Sequence, residues 1–131
     1  MAAAARAIDA GAGSIVNVKP ARLGGLQAAI AVHDLAVSAG WAAWTGGMLE
    51  SGIGKAAALA IATLPGMTMP ADLPPSVRHF ARDVVEPPWE MADGRLSLSP
   101  GPGLGVAPDP TCLESLATAS ERFGDDVGLP S

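Results

Sequence analysis

A lysine follows a short apolar run, at a position that α/β proteins use for chemistry. Residues 14–19 read as a buried strand because they are few and rich in β-branched side chains, and Pro20 with the next glycines ends the run. Reactive side chains in α/β proteins commonly lie at the C-terminal tips of strands. Lys19 is therefore a candidate for chemistry, and a surface lysine at a strand end is the alternative. To act as a base near neutral pH, its amine would need a pKa lowered by burial or by a neighbouring cation.

Further polar and glycine-rich positions follow two later apolar runs. Gly46 and Gly47 have no Cβ to obstruct the approach of a ligand to the backbone, and an ordinary tight turn is the alternative. Glu50 and Ser51 precede a helical segment, which predicts that they cap its free N–H groups, although Glu50 is also a candidate for the mouth of a site. Asp72 follows a third run, and a turn-forming aspartate is the alternative there.

Composition restricts the class of protein. The chain has 131 residues, a formal net charge of -5 and a mean hydropathy of +0.32. The negative charge and the absence of a basic cluster argue against a nucleic-acid partner. Prolines and a glycine interrupt the longest charge-free run, 56–71, so we expect no membrane span. The single cysteine, Cys112, excludes an internal disulfide and a cysteine-based metal site, and the cytoplasm is the expected location.

Short apolar runs alternate with segments of helical periodicity. The spacing predicts helices over 2–10, 26–39 and 53–63, and strands over 14–19, 41–45 and 67–69. This alternation is typical of right-handed β/α units around a parallel sheet, and the fold class is α/β. Residues 74–131 are rich in proline and glycine and read as an irregular tail with one more helix over 111–122, and with disorder as the alternative for 124–131.

Four segments in order carry a family resemblance: NVKPARLGG, WTGGMLESGIGKAA, LPGMTMPAD and SPGPGLGV. Together they resemble the C-terminal part of the enolase superfamily, within its muconate-lactonizing subgroup, and specifically the o-succinylbenzoate synthase and N-succinylamino acid racemase family. The resemblance implies strands six to eight of a TIM-like (β/α)₇β barrel in residues 1–73. It also implies a tail, 74–131, that packs on the barrel and on a capping domain. The remaining barrel strands and the capping domain have no counterpart here, so we expect a fragment of a longer protein.

The resemblance assigns roles to individual residues. Lys19 matches the sixth-strand lysine, which serves as a general acid or base, or supports the intermediate electrostatically in the synthase reaction. Gly46, Gly47 and Met48 match the loop after the seventh strand, which the substrate approaches closely. Asp72 matches a position after the last strand where some members carry a substrate-orienting carboxylate.

The same resemblance implies a reaction and a metal. Family members remove the proton next to a carboxylate and stabilise the enediolate with Mg²⁺, held by carboxylates on strands three to five, which this chain lacks. We therefore expect Mg²⁺ in the intact parent and no metal site in this chain alone. The favoured reaction is dehydration of a cyclohexadiene carboxylate in menaquinone synthesis. Racemisation of N-succinylamino acids or dipeptide epimerisation is the alternative, and a non-catalytic remnant is the alternative of another class. Expected partners are a small carboxylate substrate, the missing barrel half and capping domain, and further copies of the chain.

Overall fold

Two parallel strands and the helices that flank them form the first part of the molecule. The computed structural model describes residues 1–98 and 100–121. The elements of its first part are helix α1 (Ala2–Asp9), strand β1 (Ile15–Val18), helices α2 (Pro20–Leu23) and α3 (Leu26–Ser38), strand β2 (Ala42–Thr45) and helix α4 (Gly52–Ala62). β1 and β2 pair in parallel, in a register that sets Ile15 opposite Ala42 and Val18 opposite Thr45. The predicted α/β class is thus confirmed for this part of the chain.

The predicted third strand over 67–69 is wrong. The segment forms only single parallel bridges, from Met67 to Ala43 and from Asp72 to Gly46. The amides of Thr68 and Met69 both bond to the Ala43 carbonyl, at 3.1 and 3.4 Å, instead of alternating along β2, and Pro70 has no N–H to donate. The hydrogen bonds to β2 therefore do not form a regular ladder here. From Met67 to Asp72 the chain still runs parallel to β2. Asp72 therefore lies beside the C-terminal ends of β1 and β2.

Alternation along β1 separates a core face from an open face. Val18 is buried with Ala29 and Ile61, and Val16 packs against the same cluster. Asn17 and Lys19 point to the opposite side because successive side chains of a strand alternate. The small alanines of α3 and α4 let these helices approach the sheet closely. The core thus fixes the backbone from which Lys19 projects.

Every predicted helix has at least one boundary that differs from the prediction, and one further short helix was not predicted. Residues 20–23 form this additional helix. Proline suits its first position, and Gly24, at φ 89°, ends it in the left-handed region. α1 ends at Asp9, one residue early. The last helix that the structure describes, α5, spans Pro110–Leu116, so its predicted extension to residue 122 is wrong over 117–121. Residues 122–131, for part of which disorder was the alternative, lie outside the described residues.

The second part folds onto α4 with little regular structure. A 3₁₀ turn (Ser76–Arg78) precedes four two-residue strands: β3 (Val85–Glu86), β4 (Met91–Ala92), β5 (Arg95–Leu96) and β6 (Ala107–Pro108). β3 pairs with β6 and β4 with β5, both antiparallel. Leu73, Val85 and Trp89 form one buried cluster with Leu59 of α4. The domain boundary at 73/74 stays a prediction.

Among residues 1–98 and 100–121, no helix has both the length and the apolar character that a membrane span requires. Within the same ranges, β1 pairs with β2 on one side and with no strand on the other.

Candidate active site

Lys19 lies where the predicted site begins. It is the residue before α2, and its side chain is partly exposed. Its Nζ donates a hydrogen bond of 3.0 Å to the backbone carbonyl of Gly47, in the loop after β2. Lys19 and the Gly46–Gly47 loop therefore lie together, since both follow the C-terminal ends of neighbouring parallel strands.

The space beside the Cα of Gly46 is occupied by two polar side chains. A Cβ at Gly46 would lie 2.6 Å from Oδ1 of Asn17 and 3.0 Å from Cε of Lys19. Asn17 was missed by the sequence analysis, although it stands two residues before Lys19 and hence on the same face of β1. That alternation was the available signal.

Asp72 meets the same loop through its backbone. Its amide donates to Thr45 at 3.0 Å, and its carbonyl accepts from the amide of Gly47 at 2.9 Å. Asp72 is exposed and lies opposite Gly46 in the parallel bridge, which puts its side chain on the open face that carries Lys19. A Cβ at Gly47 would lie 3.1 Å from the Asp72 carbonyl oxygen, so glycine allows this close approach.

The loop from Met48 to Glu50 is held by a local contact. Oε2 of Glu50 accepts a hydrogen bond of 2.6 Å from the amide of Met48. Between them, Leu49 has φ 59°, in the left-handed region that branched side chains rarely adopt, and 72% of it is exposed. Met48 is 45% exposed. Two apolar side chains thus stand at the edge of the open face, on a backbone bent by Glu50.

The predicted capping of α4 by Glu50 and Ser51 is wrong. Ser51 occupies the capping position without a side-chain hydrogen bond, and Glu50 bonds to Met48 instead. The carboxylate that caps the helix belongs to Asp83, whose Oδ1 accepts from the Gly52 amide at 2.7 Å. Because Asp83 comes 31 residues later, a local sequence pattern could not reveal it.

Asp83 is the centre of a buried polar cluster between the two parts of the chain. Its Oδ2 accepts from the Ser76 hydroxyl at 2.5 Å, and the Ser76 oxygen accepts from the Trp89 amide at 3.1 Å. The indole of Trp89 donates to the Gly52 carbonyl at 2.9 Å. This cluster fixes the start of α4 and thereby the loop that precedes it.

Lys55 was also missed. It lies in α4, is 1% exposed, and donates from Nζ to the Pro74 carbonyl at 2.7 Å. Burial lowers the pKa of Lys55, and the nearby carboxylates of Asp83 and Glu50 raise it in part. Apolar alanines surround it in sequence, which gave no signal for a buried ammonium.

A histidine and an aspartate on α3 do not join the site. His33 is buried on α3 and bonds through Nδ1 to Asp34 at 2.8 Å. In the part of the chain that the structure describes, no three His, Cys, Asp or Glu side chains come close enough together to hold a metal ion. These residues by themselves therefore do not fit a Mg²⁺ site.

A known family matches this architecture. The family described as "Enolase C-terminal domain-like" matches residues 1–112. The chain belongs to this family. The enolase-family segment resembles an N-succinylamino acid racemase from an Amycolatopsis species, with 46% identity over 93% of the chain and 33% of the relative. It is 40% identical to an o-succinylbenzoate synthase from Bacillus subtilis, over 92% of the chain and 32% of the relative.

A solved structure shows the same fold. The muconate lactonizing enzyme from Pseudomonas putida superposes with a TM-score of 0.79 and 30% identity, over 86% of the chain and 31% of that enzyme. The chain thus spans about a third of the length of the relatives that it matches. The predicted enolase-superfamily resemblance is confirmed, and the family has a TIM-barrel-like fold.

Proposed function

We propose that the protein containing this segment removes the proton next to a carboxylate, and that Lys19 carries that proton. The observation that carries the proposal is the position of Lys19, on the open face at the strand ends, with Nζ bonded to the Gly47 carbonyl at 3.0 Å. The two kinds of relative named above, a racemase and a synthase, support the reaction class. In both proposed reactions the first chemical step is a proton transfer at a carbon next to a carboxylate.

The Gly47 carbonyl gives the amine a direction. A neutral lysine amine that donates one N–H to this carbonyl turns its lone pair away from the loop, toward the open face. A proton can then pass from the carbon acid to Nζ if the substrate lies within hydrogen-bond reach. The protonated amine subsequently returns the proton or stabilises negative charge on the intermediate.

We propose that the loop residues bind the substrate. Gly46 and Gly47 let it approach the backbone, Met48 contacts its apolar part, and Asp72 orients a polar group from the opposite side of the loop. Glu50 acts indirectly, since its carboxylate holds the Met48 amide at 2.6 Å and so shapes the loop. This is a narrower role for Glu50 than the direct contact that its position in the sequence suggested.

Dehydration of a succinyl cyclohexadiene carboxylate, as in o-succinylbenzoate synthesis, is the favoured reaction. Racemisation of N-succinylamino acids is the second candidate, because identity reaches 46% and 50% to two racemases against 40% to the synthase from Bacillus subtilis. Both candidates need the amine at position 19: racemisation uses it as proton acceptor, and dehydration uses it as proton acceptor or as electrostatic support of the intermediate.

Proton exchange tests the proposal before the substrate is settled. The longest natural form of the protein, that is, the longest natural polypeptide that contains this segment, is incubated with Mg²⁺ and an N-succinylamino acid in D₂O. Loss of the α-proton signal is followed by NMR. Dehydration of the cyclohexadiene carboxylate is assayed in parallel. Lys19→Ala should reduce either activity by about 10² to 10⁴-fold, whereas Arg95→Ala in the tail should not. Wild-type activity that survives Lys19→Ala unchanged would overturn the assignment.

We propose the finer organisation on the same basis. The ordered motifs support assignment of β1, β2 and the segment ending at Asp72 to barrel strands six to eight, with a boundary at 73/74. Mg²⁺ would be held by carboxylates of the other barrel strands, in a cytoplasmic homo-oligomer involved in menaquinone synthesis. We expect residues 1–131 alone to show no Mg²⁺-dependent turnover; activity of this chain that Lys19→Ala abolishes would contradict that expectation.

A further inference from the structure

The chain has two lysines, Lys19 and Lys55, and the proposed chemistry uses only the first. Lys55 is 1% exposed and lies near the amino end of α4. Burial of an ammonium is costly, and the positive end of the helix dipole opposes a cation at this position. An apolar side chain would fill the space without either cost. The cost of burying the Lys55 ammonium therefore suggests that its hydrogen bond has a role.

The ammonium group of Lys55 is hydrogen-bonded to the segment that follows Asp72. Nζ donates to the Pro74 carbonyl at 2.7 Å, and the carboxylates of Asp83 and Glu50 provide the nearby negative charge. Pro74 lies two residues after Asp72. The buried ammonium thus fixes one end of the segment 72–74, while the backbone bond to Thr45 fixes the other at 3.0 Å.

Backbone hydrogen bonds continue from this segment to Lys19. The Asp72 carbonyl accepts from the Gly47 amide at 2.9 Å. The carbonyl of the same glycine accepts from Lys19 Nζ at 3.0 Å. Three hydrogen bonds and the covalent segment 72–74 therefore join the Nζ atoms of the two lysines. A displacement of Pro74 would reach Lys19 by rotating the peptide groups of Gly47.

We propose that Lys55 is a positioning residue for Lys19, acting through Pro74, Asp72 and Gly47. The inference rests on the proposed function only for what Lys19 does; the mechanical link itself rests on the hydrogen bonds. Lys55 holds the 72–74 segment, this segment holds Gly47, and the Gly47 carbonyl directs the Lys19 amine. Asp83 and Glu50 serve the link by keeping a compensating negative charge near the buried ammonium.

A spectroscopic experiment on the 131-residue chain tests the link without any substrate. Labelling with [¹³Cε]lysine gives two lysine signals, and Lys19→Arg assigns them by removing one. Lys55→Met keeps the length of the side chain and removes its donor. We expect this change to shift the Lys19 ¹³Cε signal and to accelerate hydrogen exchange of the Gly47 amide by about tenfold or more.

Two variants separate positioning from a general loss of stability. Lys55→Arg keeps a cationic donor and should restore most of the Gly47 protection. Leu59→Val weakens the packing of the same helix without touching the link, and should leave the Lys19 signal and the Gly47 protection as in the wild type. If Lys55→Met does not fold, Lys55→Gln, which keeps a shorter neutral donor, takes its place and should move both readouts by a smaller amount.

The result that would overturn the proposal is a folded Lys55→Met or Lys55→Gln chain with wild-type Lys19 and Gly47 signals. Equal effects of Leu59→Val would also overturn it, since they would show that any weakening of α4 disturbs the lysine. In the longest natural form of the protein, Lys55→Met should lower kcat with little change in KM. Lack of turnover by the wild type would instead contradict the proposed function, and the spectroscopic comparison would still stand.

Discussion

Two polar centres of this molecule are held by different means. Around Lys19 the hydrogen-bond partners are backbone groups, such as the Gly47 carbonyl, and glycines make room for them. Around Asp83 the partners include buried side chains, among them the Ser76 hydroxyl, and the indole of Trp89 reaches the same helix end. The first centre is open on one side and can admit a ligand. The second is buried, and its hydrogen bonds hold the tail against the start of α4.

The difference has an energetic consequence. Polar side chains at an open site can find water when they move, so a substitution there changes position more than stability. Buried polar groups lose their partners without replacement, and each unsatisfied group costs about 1–3 kcal/mol. Substitutions at the two centres should therefore separate effects on stability from effects on Lys19.

The largest effect is expected for Gly52→Ala. A Cβ at this position would lie 2.0 Å from Cγ2 of Val85, a short side chain that is itself buried. We expect a loss of about 3 kcal/mol or more in the free energy of unfolding, measured by urea denaturation. Gly54→Ala is the matched control, since its Cβ would meet only the side chain of Glu50 at 2.9 Å, and it should cost less. Similar values for both would show that the tail is not closely packed on α4.

Asp83→Ala should have the next largest effect. It leaves the Gly52 amide and the Ser76 hydroxyl without their acceptor in a buried position, and we expect a loss of about 2–3 kcal/mol. Ser51→Ala is the control at the capping position, where the side chain makes no capping bond, and it should change stability by less than about 0.5 kcal/mol. If urea denaturation shows a greater loss for Ser51→Ala, the cap has been assigned to the wrong residue.

Gly46→Ala should disturb chemistry more than stability. The atoms within reach of its Cβ belong to the side chains of Asn17 and Lys19, which can move into the open side. We expect a stability change within about 1 kcal/mol, together with a displaced Lys19 ¹³Cε signal and reduced turnover by the longest natural form of the protein. An unchanged Lys19 signal would mean that the open face tolerates a methyl group there.

The smallest effect concerns pH. Burial lowers the pKa of Lys55 in the folded chain below its ordinary value of 10.5, so the unfolded chain binds more protons between those two values. Stability should therefore rise with pH as the pH passes from the folded pKa toward 10.5, and the difference between wild type and Lys55→Met isolates this contribution. The free energy of unfolding of each chain is measured by urea denaturation across this pH range. The same pH dependence for the two chains would contradict the assigned direction.

The sequence revealed most of the first centre and little of the second. Periodicity located β1, β2 and helices α3 and α4, and the motif around Lys19 pointed to the strand ends, because these are local signals. Asp83, Ser76 and Lys55 gave no such signal. Each meets a partner between 7 and 31 residues away, across irregular chain, so its role depends on tertiary packing. The missed Asn17 is intermediate, since simple alternation along β1 could have identified it.

The cap that Asp83 provides for α4 also affects the order in which the chain can fold during synthesis. The amide of Gly52, at the amino end of this helix, bonds to a carboxylate that emerges from the ribosome 31 residues later. Until then we expect the first turn of α4 to fray. We also expect the backbone groups of the preceding loop, near Lys19, to sample several arrangements. In a nascent chain the loop around Lys19 would thus settle late, when the tail arrives, even though β1 and β2 are made first.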